Sequence, residues 1–444
     1  MSYVDEVLEG LAERDPYEPE FYEAVRECLD AVRPLVDENE AVYRENAILE
    51  RFVEPDRVIS FKVPWIDRNG KVQLNRGWRV QFNDAAGAYK GGIRFHSTVN
   101  LSVMKYLGFE MVLRNALTGL PMGGAKGGAD FDPKGKTDRE VMAFCQSFTN
   151  ELYKYVGSNM DIPTSDIGCG SREIGYIYGQ YKRLTGSSEG SFTGKRPDFG
   201  GTELRVESTG YGLAYMAEEM CRAKGLPFAG RTVVVSGSGS VAINAARKCA
   251  EDGAKVVAMS DSDGYIYAPA GIDLRIVKEI KEVNHGRIRE YADRVEGVEY
   301  TKGRGIWRVP CEIALPCATQ NEIGPEAAEA LVKNGVILVA EGANMPSTPE
   351  AAAYLKEHGV MYMPAKAANA GGITVSGLEQ VQNAGHCAWT CEEVDARLRG
   401  IIHDIFVRID TAAAEYGRKG DYAAGASIYA FRKVAAAMIA QGIV

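Results

Sequence analysis

The chain has 444 residues, 45% hydrophobic and 25% charged, with a mean hydropathy of −0.20 and a formal net charge of −9. That length exceeds one compact core and predicts two or three domains. The acidic balance argues against nucleic acid or an anionic membrane as the main partner.

No run of about 18 apolar residues occurs, and the acidic residues 1–15 hold no signal-peptide core, so a cytoplasmic chain is expected. The nine cysteines include no CxxC pair, which suggests neither a zinc knuckle nor a disulfide framework. His386, Cys387, Cys391 and His403 match no ligand spacing, and no metal is expected.

Residues 21–52 repeat apolar groups at three- and four-residue steps (Phe21, Val25, Cys28, Leu29, Val32) and predict amphipathic helix. From Arg57 the period changes to two. Val63-Pro-Trp65 and Val72-Gln-Leu74 flank Asn69-Gly70, which predicts a hairpin on a type I′ turn. A strand-like piece at 78–82 leads to KGGIRFH at 90–96.

Helix-like sequence at 101–117 delivers the chain to LPMGGAKGGADFDP at 120–133, where Lys126 stands between two glycine pairs. The glycines predict positive φ and close approach of a ligand to the main chain. A lysine held there and partly desolvated would titrate low enough for acid–base work. Residues 137–140 (TDRE) have the capping-box form. Residues 161–170 (DIPTSDIGCG) predict a polar loop with two carboxylates, and the Gly/Ser-rich 186–201 a domain boundary.

Beyond it, helix and strand alternate: 231–236, 255–261, 312–315, 336–340 and 360–363 are strand-like, and 394–444 is helical. This order predicts a parallel, doubly wound sheet. The strand at 231–236 runs into GSGSVA at 237–242. In that motif Gly237 allows a tight turn, Gly239 lets backbone approach a pyrophosphate, and Ala242 permits close helix packing. Ser238, Ser240 and Val241 complete the anion-binding turn, with a helix N-terminus beyond.

Asp261, at the end of the next strand, favours a free ribose 2′-hydroxyl and hence NAD. Ser262, with Lys134, Lys136, Lys281 or Arg287, would instead suit a 2′-phosphate. The residues themselves leave both cofactors open. Outside the nucleotide fold, Lys90, Arg114, Lys126, Asp166 and Arg205 could hold a substrate with one or two carboxylates, with Lys126 and Asp166 as a proton-relay pair.

At this point the sequence resembles the hexameric glutamate dehydrogenases of the small bacterial type, within the Glu/Leu/Phe/Val dehydrogenase superfamily. The likeness covers nearly the whole chain. Its marks are YKGGIRFH (89–96), LPMGGAKGGADFDPKGK (120–136), REIGY (172–176), TGK (193–195), FGG (199–201) and TGYG (209–212). Further on they are LPCATQN (315–321), EGANMP (341–346), KAANAGG (366–372) and VSGLE (375–379).

The resemblance implies an α/β architecture. Residues 1–200, joined by the C-terminal helix 420–444, would be an α/β substrate and assembly domain; 201–419 would be a doubly wound, Rossmann-like dinucleotide-binding domain. It implies reversible oxidative deamination of L-glutamate to 2-oxoglutarate and ammonium, in a homohexamer. Lys126 would polarise the 2-oxo group and activate water, and Asp166 would move the proton at the amino nitrogen.

Lys90 and Ser376 would hold the side-chain carboxylate, with Met111, Arg114, Ser165, Arg205 and Asn369 as further substrate residues. Thr209, Ser240 and Asn344 would contact nicotinamide or ribose. The Ser260-Asp261-Ser262 sequence resembles the NADP-using branch, so NADP is expected and NAD remains possible.

Four positions depart from the family. Met111 and Arg114 replace the usual Gln and Lys of the α-carboxylate helix, and Thr164-Ser165 replaces Ala-Gly before Asp166. Met111 removes a hydrogen-bond donor, Arg114 is longer than Lys, and Thr164 and Ser165 are expected to add bulk beside the reacting carbon. Either these changes compensate one another, or they alter substrate choice towards another acidic amino acid. A non-catalytic cofactor-binding homologue is the third possibility, and the intact Lys126, Asp166 and GSGSVA speak against it.

Overall fold

The computed structural model describes residues 2–444 and divides into two compact units. The first comprises residues 1–203, 375–394 and 427–444, and the second 204–374 and 395–426. The expected second domain of 201–419 therefore loses 375–394 to the first unit. The last helix changes units at residue 427 rather than 420.

The first unit holds a five-stranded sheet of β1 (Arg57–Ile66), β2 (Val72–Asn83), β3 (Tyr89–Phe95), β4 (Gly124–Ala129) and β5 (Asp161–Ser165), in the order β1-β2-β4-β3-β5. β1, β2 and β4 pair antiparallel, while β3 runs parallel to both β4 and β5. The helix Leu101–Thr118 covers β4 and β2, and Asp138–Leu152 packs on β1.

The latter begins with the expected capping box: Glu140 N–H donates to Thr137 Oγ1 at 3.3 Å, and Thr137 N–H to the Glu140 carboxylate at 2.8 Å. One core gathers Phe95, Phe131, Phe144 and Phe148, all at most 1% exposed. Each such ring contributes roughly 1.5–3 kcal/mol by leaving water.

Two local expectations are corrected. The β1–β2 connection is five residues, not a two-residue type I′ turn. The Asp67 carboxylate accepts from the backbone N–H of Asn69 (2.9 Å) and Lys71 (3.0 Å), so only Gly70 (φ 76°) needs the left-handed region. The stretch beginning at Asp161 is strand rather than loop. Asp161 is fully buried because Arg79 donates to it from Nε at 2.8 Å and from Nη2.

The second unit holds a seven-stranded sheet in the order β12-β11-β10-β6-β7-β8-β9. Its strands are β6 (Thr232–Ser236), β7 (Lys255–Ser260), β8 (Gly264–Tyr267), β9 (Glu299–Lys302), β10 (Ile313–Pro316), β11 (Leu338–Ala340) and β12 (Met361–Met363). The five strands from β12 to β7 are parallel, whereas β8 and β9 add an antiparallel edge that the expectation of a wholly parallel sheet omitted. The order reverses at β6, which lies between β7 and β10, and that switch point is where such sheets take ligands. No helix among the described residues is long and apolar enough to cross a membrane.

Candidate active site

Side chains alternate along a strand, so Lys90, Gly92 and Arg94 share one face of β3, and Ile162, Thr164 and Asp166 continue one face of β5. On the opposite side of β3 from β5, β4 carries Lys126. Its Nζ lies 2.7 Å from Asp166 Oδ2, and Arg94 Nε donates to the same oxygen at 2.9 Å. Asp166 Oδ1 has no side-chain hydrogen bond among the described residues.

Burial pushes the Lys126 ammonium below its ordinary pKa. The Asp166 carboxylate opposes this, and the Arg94 and Arg114 charges reinforce it. For Asp166, burial raises the carboxyl, but the Lys126 and Arg94 charges and hydrogen bonds together hold it below the usual carboxylate range. The result is an ionised carboxylate beside an ammonium that gives up its proton unusually readily.

In the glycine pairs around these lysines every residue but Gly123 lies in a strand, and none of them has positive φ. What requires glycine is close approach. A Cβ on Gly91 would stand 1.6 Å from the Ala125 carbonyl oxygen. One on Gly92 would meet Asp166 Cβ at 2.7 Å and Lys126 Nζ at 3.2 Å. The pairs thus bring β3 against the lysine and the carboxylate, which corrects the positive-φ expectation.

At the other end of β3, Lys90 is fully buried. Its Nζ donates to the Ile162 carbonyl at 3.1 Å and to Thr193 Oγ1. Thr193 Oγ1 lies 2.7 Å from Ser376 Oγ, and Ser376 donates onward to Thr164 Oγ1 at 3.1 Å. Lys90 and Ser376 are brought together as expected, but through Thr193, to which the sequence reading gave no role. Thr164 belongs to this cluster too, so its bulk falls at the Lys90 end of the site.

A buried ion pair fixes the arrangement. Lys195 Nζ meets Glu379 Oε1 at 2.9 Å, and Gly194 N–H donates to Glu379 Oε2 at 2.8 Å. Glu379 stands one helical turn after Ser376 on Gly371–Ala384, so one helix face carries both the hydroxyl and its anchor.

Met111 and Arg114 lie on the helix Leu101–Thr118. Met111 is buried, with its Cγ 3.3 Å from where a Gly91 Cβ would be, and Arg114 pairs with Glu110 at 3.6 Å. Ser165 packs on Gly194, whose Cβ would fall 2.7 Å from Ser165 Oγ. Arg94 is the other residue that went unnamed. Its signal was available: it stands two residues past Gly92, on the face that carries Lys90.

In the second unit, β6 leads to Gly237 at φ 85°, where any other residue would be strained, and to Gly239, the uncapped N-cap of the helix Ser240–Glu251. A Cβ on Gly239 would meet nothing within 4 Å, so the space before that helix N-terminus is open. Ser238 and Val241 flank the turn, and Gly237 N–H donates to Ser260 Oγ at 2.8 Å.

Past β7, Asp261 Oδ2 accepts from Lys281 Nζ (3.0 Å) and Ile288 N–H (2.9 Å), and Arg287 Nη1 donates to Ser262 Oγ at 2.7 Å. Burial raises the Asp261 carboxyl, but these donors, with Asp263 N–H, outweigh it and hold it low. Lysine and arginine beside a serine suit a phosphate, and the open glycine turn suits a pyrophosphate, so the residues present fit NADP.

Lys136 belongs to the first unit, its ammonium 5.7 Å from the centre of the Trp65 ring and 5.5 Å from that of Phe131. Arg205, Thr209, Asn344 and Asn369 all lie in the second unit. Asn369 Nδ2 donates to Asn344 Oδ1 at 3.2 Å, and a Cβ on Gly372 would stand 2.5 Å from Thr209 Oγ1 and 3.7 Å from Arg205 Nη1.

A buried lysine paired with a carboxylate, and a dinucleotide-type sheet in one chain, define an oxidoreductase of the amino acid dehydrogenase class. A Glutamate/Leucine/Phenylalanine/Valine dehydrogenase model matches residues 200–442, and the Glu/Leu/Phe/Val dehydrogenase dimerisation-domain model matches 55–183. The chain belongs to the Glu/Leu/Phe/Val dehydrogenase family.

It is 50% identical to the NADP-specific glutamate dehydrogenase of Helicobacter pylori, over 99% of this chain and 100% of that protein. The NAD-specific glutamate dehydrogenase of Porphyromonas gingivalis is 48% identical over 99% of both chains. The crystal structure of Plasmodium falciparum glutamate dehydrogenase superimposes with a TM-score of 0.96 at 47% identity, covering 99% of this chain and 95% of that one.

Proposed function

We propose that the chain catalyses the reversible oxidative deamination of L-glutamate to 2-oxoglutarate and ammonium, with NADP as its cofactor. The observation that carries this reading is the pair of buried Lys126 and partly exposed Asp166, 2.7 Å apart and flanked by Arg94. Asp166, ionised and with Oδ1 unengaged, takes the proton from the substrate ammonium. Lys126, as the neutral amine that burial favours, takes a proton from the attacking water. In the reverse direction its ammonium polarises the 2-oxo oxygen.

Arg114 holds the α-carboxylate, the Lys90–Thr193–Ser376 group faces the side-chain acid, and Arg205 and Asn369 complete the substrate contacts. Gly237, Ser238, Gly239, Ser240 and Val241 receive the pyrophosphate, Thr209 and Asn344 the nicotinamide ribose. Asp261, Ser262, Lys281 and Arg287 take the adenosine ribose and its 2′-phosphate. NADP, when bound, supplies the hydride acceptor. We place the enzyme in the cytoplasm as a homohexamer, the assembly that the sequence resemblance to the hexameric glutamate dehydrogenases implies.

A second reading, an enzyme for a different acidic amino acid, draws on Met111, Arg114, Thr164 and Ser165. Initial rates with ammonium, NADPH or NADH, and a panel of 2-oxo acids distinguish the two. 2-Oxoglutarate with NADPH is expected to give the highest kcat/KM. Turnover of another acid with 2-oxoglutarate inert would overturn the first reading.

A further inference from the structure

A single carboxylate ties the ends of β6 and β10 together. Ser236, the last residue of β6, is fully buried; its Oγ accepts from Cys317 N–H at 2.9 Å and donates to Glu322 Oε1 at 2.8 Å. The same oxygen accepts from the backbone N–H of Ala318 at 3.0 Å and of Thr319 at 3.3 Å. Glu322 Oε2 has no hydrogen-bond partner among the described residues. Three donors thus converge on one oxygen, and they hold the loop that follows β10.

Ala318, Thr319, Gln320 and Asn321 are exposed, so little packing fixes that loop. Asn321 stands in the left-handed region (φ 54°), and there the chain turns so that the Glu322 side chain reaches back to the Ala318 and Thr319 N–H groups. Asn321 N–H donates to the Met345 carbonyl at 3.0 Å, and Ile323 N–H to that of Pro346 at 2.9 Å, which joins the loop to the one carrying Asn344. Ala318 also packs on the glycine turn: a Cβ on Gly237 would stand 3.2 Å from Ala318 Cα.

β7, which leads into Asp261 and Ser262, flanks β6 on one side, and β10 flanks it on the other. A dinucleotide with its pyrophosphate over the glycine turn and its adenosine ribose at Asp261 has its nicotinamide half on the β10 side. We propose that Glu322 is a positioning residue for that half: its Oε1 holds the exposed loop against the glycine turn, where the nicotinamide ribose is received. This deepens the NADP reading and rests on it.

Because every donor reaches Oε1, glutamine can stand in for glutamate by placing its own oxygen there. Burial pushes the Glu322 carboxyl above its ordinary pKa despite these donors, and the Glu341 carboxylate adds to the rise, so losing the charge costs little.

The test compares equilibrium binding of NADPH with that of adenosine 2′,5′-bisphosphate, the adenosine half alone. It uses the parent, Glu322→Gln, Glu322→Met and Ser236→Ala, with the thermal midpoint of each. Glu322→Met removes the acceptor; NADPH binding should weaken roughly tenfold or more while adenosine 2′,5′-bisphosphate stays within about twofold of the parent. Glu322→Gln should keep NADPH within about threefold of the parent. Ser236→Ala cuts only the link to β6 and should lose NADPH selectively by a few-fold, and it decides the matter if Glu322→Met does not fold.

Equal losses of both ligands would mean general damage to the sheet and would overturn the proposal. So would parental NADPH affinity in folded Glu322→Met, or in Ser236→Ala where that variant alone folds, or a loss in Glu322→Gln as large as in Glu322→Met. If the parent takes NADH and not NADPH, the NADP reading fails alone, and the same comparison with NADH and AMP still decides this one. If the parent binds neither dinucleotide, both fall.

Discussion

Arg94 offers a direct test of how the catalytic pair is tuned, because its guanidinium shares one oxygen of Asp166 with Lys126. Replacing it with methionine keeps the aliphatic stem and removes one positive charge from the pair. A unit charge at about 4 Å, with an effective dielectric constant of about 20, is worth on the order of 4 kcal/mol. The Asp166 side chain is 21% exposed, so water screens part of this and leaves a shift of roughly one to two pH units.

The sign is the same for both partners. Asp166 loses a cation that held its pKa down, and Lys126 loses a like charge that also held its pKa down, so both values rise. Deamination needs Asp166 ionised and Lys126 neutral, and activity is lost as pH falls through either value. The acid limb of kcat/KM for glutamate oxidation should therefore move to higher pH by roughly one unit or more in Arg94→Met. Arg94→Lys, which keeps the charge, should move it less. A folded Arg94→Met enzyme whose acid limb superimposes on the parent's would refute the reasoning.

Other expectations follow from the remaining geometry. Arg79→Met leaves the buried Asp161 carboxylate without its cation, with Gln81 Nε2 still donating to it at 3.0 Å, which should cost about 3–5 kcal/mol in urea unfolding; a loss under about 1 kcal/mol would contradict it. Lys281→Ala with Arg287→Ala removes the cations beside Asp261 and Ser262. KM for NADPH should rise by roughly tenfold or more while KM for NADH holds or falls, and parallel changes in both would count against a 2′-phosphate site. Glu379→Gln strips the carboxylate from Lys195 and loosens Thr193 against Ser376. It should raise KM for 2-oxoglutarate and lower the thermal midpoint together, and a change in neither would remove the positioning role.

Much of this site was legible because its chemistry is local in sequence. Lys126 within GGAKGG, Asp166, and Lys90 before Gly91-Gly92 stand in short motifs, and GSGSVA follows a run of valines. What sequence reading missed depends on contacts distant along the chain. Thr193 matters because Lys90 and Ser376, 103 and 183 residues away, converge on it.

Positive φ was the wrong reason for the glycine pairs, since strand packing against Ala125 and Asp166 is invisible without the sheet order. Asp161 read as a loop carboxylate because its partner, Arg79, is 82 residues distant. The antiparallel edge β8–β9 was hidden by its two four-residue strands, too short to show an alternation. The Asn69-Gly70 pair gave the hairpin but not its length, which Asp67 decides by holding two backbone N–H groups.

The central claim is that Lys126 and Asp166 perform the chemistry while the second unit holds the cofactor. Lys126→Met tests it most directly, with NADPH affinity and ammonium-dependent 2-oxoglutarate reduction measured on the same preparation. The account predicts NADPH affinity within about twofold of the parent and kcat lower by at least about 100-fold. Retained turnover in that variant, with its fold and NADPH binding intact, would contradict it.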